Sequence, residues 1–267
     1  MLTQTSVERV CLLAPALVVL AIFVSAFVVF CALRFTGRLP RLDHIKHNIV
    51  LGPLFAGFLV WFSSPLERLL VGRVSANAIT LVSLALCAVT GLAVAQGHLP
   101  GAVWLYIFAG ICDALDGRLA RSTGTQSAAG ALFDSVCDRW GELCVFAGYA
   151  WFLRDSTWLL AVFAALAGSM MVSYTRARAE GLGIQLPGGI MQRAERIIVV
   201  AAGTLIAAWY GNEPERIESV VSILGITMLV CGVGSIATAI ARLVVGYRRL
   251  SRAPQSAPPL GATLSTR

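Results

Sequence analysis

Charged side chains are scarce in this chain of 267 residues, where they make up 13% of the total against 57% hydrophobic residues. Lysine is almost absent, because Lys46 is the only lysine among 21 basic residues. This composition excludes an ordinary soluble domain and indicates a membrane protein with several spans. No Arg-rich block with interleaved aromatic residues is present, so the net charge of +7 does not indicate nucleic acid. The arginines lie between apolar runs, where they suit anionic lipid and phosphate.

Paired cysteines are missing as well. The seven cysteines are scattered, mostly within apolar runs, and none forms a Cys-x-x-Cys pair. We therefore interpret them as small buried hydrophobic residues. Two of the three histidines, His44 and His47, lie beside Asp43. That trio suits either a metal site or a polar loop at the membrane interface, and we favour the loop.

The N-terminal part has the pattern of a membrane anchor. Residues 11–33 are almost wholly apolar and long enough to cross a bilayer, and the run exceeds the apolar core of a cleaved signal peptide. Basic residues beginning with Arg34 follow it, which places this end in the cytoplasm. Residues 48–72 are apolar but are interrupted by Pro65 and by charges. This second segment predicts an amphipathic helix that lies on the cytoplasmic surface.

Six further spans are predicted, approximately at residues 77–96, 100–121, 128–153, 156–179, 190–210 and 218–243. Ser75 or Asn77 can cap the first of them, and the short connections make consecutive helices mostly antiparallel neighbours. The predicted fold class is all-α: a polytopic membrane protein with a six-transmembrane-helix core, preceded by an extra N-terminal transmembrane helix and an interfacial amphipathic helix. The expected segments are an N-terminal transmembrane helix, a cytoplasmic loop with a juxtamembrane helix, the core and a disordered, proline-containing cytoplasmic tail, at residues 1–35, 36–74, 75–246 and 247–267.

Basic residues are distributed unevenly between the two sides of this topology. If the first helix runs from outside to inside, Arg9, Arg154 and Arg216 lie outside and the remaining eighteen basic residues lie inside. Positive charge concentrates on the cytoplasmic side of membrane proteins. The count therefore predicts that the aspartates described next face the cytoplasm, and the expected location is a bacterial inner membrane.

The candidate chemistry lies between Asp113 and Asp138. Asp113 and Asp116 are three residues apart and Asp134 and Asp138 are four apart, so each pair lies on one face of its helix. A turn at Gly124 separates the pairs, which lets two neighbouring helices direct all four carboxylates at one point. Hard oxygen ligands without His or Cys favour Mg²⁺, Mn²⁺ or Ca²⁺, and four of them can hold two metals about 3.5–4 Å apart for displacement at phosphorus. A merely solvated helix–loop–helix is the alternative.

Three neighbours of these carboxylates suit a phosphate-containing ligand. Gly117 and Gly130 leave space for a ligand to approach the backbone. Arg121 is placed to bind a phosphate through two parallel hydrogen bonds.

The stretch reads D-x2-D-G-x2-A-R-x8-G-x3-D-x3-D. It resembles the signature of the CDP-alcohol phosphotransferases, which are integral membrane enzymes of phospholipid synthesis, and the similarity covers approximately residues 60–245. The resemblance implies six core transmembrane helices, a homodimer and two Mg²⁺ or Mn²⁺ ions held by the four aspartates. It also implies that Asp138 is the general base and that Gly117, Arg121 and Ser127 contact the CDP-linked donor.

A second short motif supports the same resemblance. The segment from Ser75 to Thr80 is similar to the family's S-P-N-x-x-T motif, which lies near the cytidine. Ala76 stands where the family usually has proline, whereas Asn77 and Thr80 are retained. The expected CDP-lipid contacts are therefore Asn77, Thr80, Gly117, Arg121, Ser127 and Gly130.

Arginines near two later helix ends predict an anion site for the acceptor. The segments S-Y-T-R-A-R-A-E and R-A-E-R are similar to those of phosphatidylinositol-phosphate synthases and, less closely, of phosphatidylglycerophosphate synthases. Arg176 stands where lysine is common and Ala194 where proline is common, so the acceptor stays open. Loop charge on the cytoplasmic side accounts for some of these arginines. The predicted acceptor-phosphate contacts are Ser173, Arg176, Arg193, Arg196 and Arg242.

Together these residues predict a transferase that moves a phosphatidyl group from CDP-diacylglycerol to the hydroxyl of a polar alcohol and releases CMP. The expected acceptor is an inositol phosphate, then glycerol 3-phosphate, then a neutral alcohol. A divalent-cation transporter is the non-enzyme alternative, since intramembrane carboxylates mark ion paths. A transporter needs acids along a path to the far side, and the remaining acids do not form one. A catalytically silent relative is disfavoured by the intact motif.

Overall fold

The computed structural model describes residues 6–36, 52–186, 188–211 and 216–252. These residues form eight α-helices and no strand, which confirms the all-α fold class. The histidines of the predicted interfacial loop and most of the predicted tail lie outside the described residues. The helices are α1 (Ser6–Phe35), α2 (Gly52–Leu70), α3 (Ala76–Ala95), α4 (Leu99–Ser122), α5 (Ala128–Phe152), α6 (Leu159–Gly181), α7 (Arg193–Tyr210) and α8 (Ile217–Arg252).

Four of these helices, α3, α4, α6 and α8, are long and apolar enough to cross a membrane, and the chain is an integral membrane protein. Helices α5 and α7 occupy positions that the sequence predicts for spans, but charged side chains interrupt their apolar faces. In α5 these charges begin at Asp134, and in α7 they lie in the first turns from Arg193. These charged residues of α5 and α7 contribute to the candidate site described below.

Helix α8 is longer than its sequence predicts. It continues to Arg252, so the expectation of disorder from residue 247 is wrong for residues 247–252. At about 1.5 Å per residue, a helix of 36 residues is longer than the roughly 30 Å thickness of a bilayer core. The last turns are attached to the loop before α7, because Arg249 donates a hydrogen bond to the Gln185 carbonyl. That contact is tertiary, and nothing in the local sequence signals it.

The order of neighbours differs in part from the expected chain order. Helix α3 packs against both α4 and α5, and α8 packs against both α6 and α7. Helices α4 and α5 are not packed side by side, and neither are α6 and α7. Close approach of α3 and α5 at Gly91 and Gly148 explains part of this arrangement, because a Cβ on Gly148 would lie only 2.2 Å from the Gly91 carbonyl oxygen. Backbone contact of this kind brings α5 against α3 rather than α4.

This packing brings three helix ends together: the start of α3, the end of α4 and the start of α5. Ser75 caps α3 by accepting a hydrogen bond from the Ala78 amide at 3.3 Å. Ser127 caps α5 in the same way, through the Gly130 amide at 3.0 Å. Gly124 turns the chain between α4 and α5 with a φ of +67°, a conformation that glycine adopts without strain.

The N-terminal helices pack on each other through aromatic side chains. Phe58 of α2 is fully buried and lies edge-on to Phe23 and Phe27 of α1, with ring centroids 4.9 and 5.0 Å apart. Helix α2 is also bound to α4 through Arg118. The position of α2 at the membrane surface stays a prediction.

Candidate active site

Three carboxylates meet where α4 ends and α5 begins. Each of Asp113, Asp116 and Asp134 offers an oxygen that lies within 4.8 Å of the others. Asp116 is buried, and its two oxygens are oriented from different sides. Thr80 Oγ1 on α3 donates to Oδ2 at 2.6 Å, and the Gly117 amide donates to Oδ1. The sequence predicts that both aspartate pairs converge on one point, and three of the four residues do so.

The donor set of this cluster fits a hard divalent cation. All three groups are carboxylates, which suit Mg²⁺ or Mn²⁺. Asp134 Oδ1 is buried without a hydrogen-bond partner. An unpaired buried carboxylate oxygen beside two other carboxylates is unfavourable unless a cation is bound there. The cluster therefore fits a divalent metal ion, and the role of these three aspartates as its ligands stays a prediction.

Asp138, the fourth predicted ligand, lies beside the trio rather than within it. Arg193, at the start of α7, donates from Nη1 to Oδ1 of both Asp113 and Asp138. One further turn along α5 carries Asp138 away from Asp134 and towards α7. Arg193 was expected on the acceptor phosphate, whereas the structure places it on two of the four motif carboxylates. The roles of Asp138 as metal ligand and base stay predictions.

A cavity of about 920 Å³ opens beside Asp116 and Asp134. This volume falls in the range of small-molecule sites, roughly 300–1,000 Å³. Its walls come from the start of α3, the end of α4 and the loop and first turn that lead into α5. All six residues predicted to contact the CDP-lipid line it: Asn77, Thr80, Gly117, Arg121, Ser127 and Gly130. The structure thus brings the whole predicted donor set to one cavity.

Two of the lining residues are glycines at places where a side chain would intrude. A Cβ on Gly130 would lie 3.1 Å from Ser127 Oγ, and one on Gly117 would lie 3.3 Å from Arg121 Nη1. Arg73 and Gln126 also line the cavity, and sequence reasoning did not select them. The position of Arg73 two residues before the Ser75 cap was the available signal.

The predicted acceptor residues lie on α6, α7 and α8 in different environments. Arg196 is fully buried and binds Glu142 of α5 through Nε at 3.0 Å and through Nη2. Arg242 is buried and donates from Nη1 to the Val172 carbonyl at 2.8 Å, while its Nε has no partner. Arg176 is exposed and pairs with Glu180 at 2.9 Å.

Ser173 is half-buried on α6, three residues before Arg176. Arg176 and Arg196 lie within electrostatic range of Arg242, and so do Glu180 and Glu195, so the three arginines share one region with acidic side chains. Glu142 was missed, although its position four residues after Asp138 places it on the same face of α5. Phosphate binding by this group stays a prediction.

Comparisons with known proteins agree with this geometry. The family model described as CDP-alcohol phosphatidyltransferase matches residues 73–247. The phosphatidylinositol phosphate synthase of Mycobacterium marinum is 33% identical over 209 residues, which are 73% of this chain and 82% of that protein. A crystal structure of the Mycobacterium tuberculosis phosphatidylinositol phosphate synthase with CDP-DAG bound is similar at a TM-score of 0.59 and 27% identity, covering 70% of this chain and 94% of that one. The structure of the same synthase with manganese and citrate gives the same TM-score and identity and covers 69% and 88%.

Proposed function

The chain belongs to the CDP-alcohol phosphatidyltransferase family, and we propose that it transfers a phosphatidyl group from CDP-diacylglycerol to a hydroxyl of an inositol phosphate. CMP is the second product. The observation that carries the proposal is the Asp113–Asp116–Asp134 cluster, of which Asp116 and Asp134 line a cavity together with the whole predicted donor set. A carboxylate cluster alone suits many metal proteins. A carboxylate cluster beside a cavity of this size suits a bound pyrophosphate.

Donor binding divides between the cavity and the metal cluster. Asn77, Ser127 and the two glycines line the part that receives the nucleotide, and Arg121 binds a phosphate of the pyrophosphate. Asp113, Asp116 and Asp134, with Asp138 beside them, would hold two Mg²⁺ or Mn²⁺ ions. Divalent cations bound there would neutralise the pyrophosphate and stabilise the charge that develops on the phosphoryl oxygens.

The transfer proceeds by direct displacement. The acceptor hydroxyl oxygen forms a bond to the phosphorus that carries the lipid, the bond from that phosphorus to CMP breaks, and Asp138 accepts the hydroxyl proton. Arg193 fixes Asp138 through Oδ1. Since no covalent enzyme intermediate forms, the configuration at phosphorus inverts. Retention in an assay with a chiral phosphorothioate donor would exclude this scheme.

Asp138→Asn tests the proposed base. The change preserves the shape of the side chain and removes its basicity, so we expect CMP release to fall at least about 100-fold, the lower part of the range for general-base catalysis. The melting temperature in detergent should stay near that of the wild type, since an amide oxygen still accepts from Arg193. Near-normal turnover would show that Asp138 is not the base.

The choice of an inositol phosphate rests on the similarity to synthases named for that product and on the buried Arg242, whose Nε has no hydrogen-bond partner. A panel of labelled acceptors decides it. Purified full-length protein is supplied with CDP-diacylglycerol, Mn²⁺ and either inositol phosphate, inositol or glycerol 3-phosphate, and the labelled lipid is identified. Labelled lipid from inositol phosphate alone supports the proposal. Labelled lipid from glycerol 3-phosphate or from free inositol instead would refute the proposed acceptor and identify another.

The proposal also covers the location of the protein in the membrane and its oligomeric state. The excess of basic residues on one side of the predicted topology supports a bacterial inner membrane with the active site facing the cytoplasm. The resemblance to the family supports a homodimer. Cysteine labelling of exposed positions in intact cells tests the first point, and the mass of the purified protein–detergent complex tests the second.

A further inference from the structure

Arg118 connects the metal-binding helix to the part of the chain that precedes the family match. It lies on α4, directly after Gly117, and its guanidinium crosses to α2. There Nη1 donates to the Val60 carbonyl at 2.7 Å and to Ser63, and Nη2 donates to Glu67 and, at 3.4 Å, to Ser64 Oγ. One side chain thus bonds to four residues of a single neighbouring helix.

The direction of this side chain relative to the metal ligands is informative. Two residues along an α-helix are separated by about 200° around its axis, so Arg118 lies nearly opposite Asp116. Asp116 is held from α3 by Thr80, and Arg118 is held from α2. The last turns of α4, which carry Asp116 and Gly117, are therefore fixed from two opposite sides.

An exposed arginine–glutamate pair contributes little to stability, but this contact is of another kind. The Arg118 and Glu67 side chains are only 16% and 17% exposed, and one of the acceptors is a backbone carbonyl. Helix α2 in turn packs on α1 through Phe58, which keeps the acceptor side in place.

We propose that Arg118 is a positioning residue for the metal site: it uses α2 as a fixed support to hold the turn of α4 that carries Asp116. The proposal rests on the proposed function, because it concerns the same metal cluster. It assigns to residues 52–70, which lie outside the matched family region, a role in metal binding without direct contact with the metal. Outer partners that orient metal ligands affect metal affinity by roughly 10–100-fold.

The test compares full-length Arg118→Ala, Arg118→Lys and Glu67→Gln with the wild type. Mn²⁺ affinity is measured directly from the free-ion signal in electron paramagnetic resonance, and CMP release gives the Mn²⁺ concentration for half-maximal rate. We expect Arg118→Ala to weaken Mn²⁺ binding about 10-fold, with smaller losses for the two conservative variants. The KM for the acceptor should not change, since its predicted contacts lie on α6, α7 and α8.

Arg68→Ala is the matched control, because it removes the same side chain from the exposed face of α2, one residue from Glu67. Its Mn²⁺ affinity should equal that of the wild type. If Arg118→Ala only lowers the melting temperature and binds Mn²⁺ like the control, the positioning role is refuted. If that variant does not fold, Mn²⁺ affinities unchanged in both Arg118→Lys and Glu67→Gln refute it equally. Failure of the proposed function would show differently, as a wild type that binds Mn²⁺ but releases no CMP with any acceptor.

Discussion

The crossing of α3 and α5 allows a demanding test of the fold. A Cβ added to Gly148 would lie 2.2 Å from the carbonyl oxygen of Gly91 and 2.7 Å from its carbonyl carbon and Cα, whereas ordinary contact begins at 3.4 Å. The obstructing atoms belong to the backbone, so no side-chain rotation relieves the clash. Gly148→Ala therefore forces the two helices apart by about 1 Å to restore ordinary contact.

The expected effects on stability and on activity differ in size. Overpacking of this kind costs about 1–3 kcal/mol, and the better helix propensity of alanine offsets about 0.8–1 kcal/mol of it. Net destabilisation should therefore be modest. Activity should fall further, because α3 carries Thr80 and α5 carries Asp134, and a 1 Å displacement of catalytic groups can reduce a rate about 100-fold.

Gly101→Ala is the control for this prediction. It makes the same chemical change in α4, where an added Cβ meets nothing within 4 Å. The control should be as stable as the wild type or slightly more stable, and fully active. Thermal unfolding in detergent and CMP release measure the two properties for each variant. If Gly148→Ala matches Gly101→Ala in both assays, the close approach of α3 and α5 is not present in the protein.

Two further changes test the polar contacts of the site. Thr80→Val removes the donor to Asp116 Oδ2 and should weaken Mn²⁺ binding by about 10-fold or more. An unchanged Mn²⁺ titration would show that this hydrogen bond does not orient Asp116 for the metal. Glu142→Leu leaves the Arg196 guanidinium buried without its carboxylate and should destabilise the protein by about 3–5 kcal/mol. The double variant with Arg196→Met should regain most of that loss, since neither charge remains, and a double variant less stable than Glu142→Leu would show that the pair is not the cause.

Much of this architecture follows from local sequence pattern. Long apolar runs predict where the helices lie, and the i, i+3 and i, i+4 spacings predict that the aspartates share helix faces. Neither signal depends on how the helices pack. The order in which helices neighbour each other does depend on packing. Gly91 and Gly148 are 57 positions apart in the chain, and the sequence alone does not show that they touch.

The arginines show the same limit for the candidate site. Local pattern placed both Arg193 and Arg196 at the acceptor phosphate, since each lies at the start of a helix in a basic segment. The structure pairs Arg193 with Asp113 and Asp138, and Arg196 with Glu142. An unpaired buried charge is very unfavourable, so an arginine in an apolar interior pairs with an acid. The acid lies on a helix that is distant in sequence, and local pattern therefore does not identify it.

These pairings suit the proposed function, in which two substrates meet at a shared point. The donor cavity is formed by the ends of α3, α4 and α5, and the predicted acceptor residues lie on α6, α7 and α8. Arg193 begins α7 and contacts Asp113 of α4 and Asp138 of α5, so it joins the two halves beside the metal cluster. Under the proposed function, this junction is where the acceptor hydroxyl would reach the donor phosphorus. A charged contact there fixes the two helix groups relative to each other, and it also makes the geometry of Asp138 depend on both.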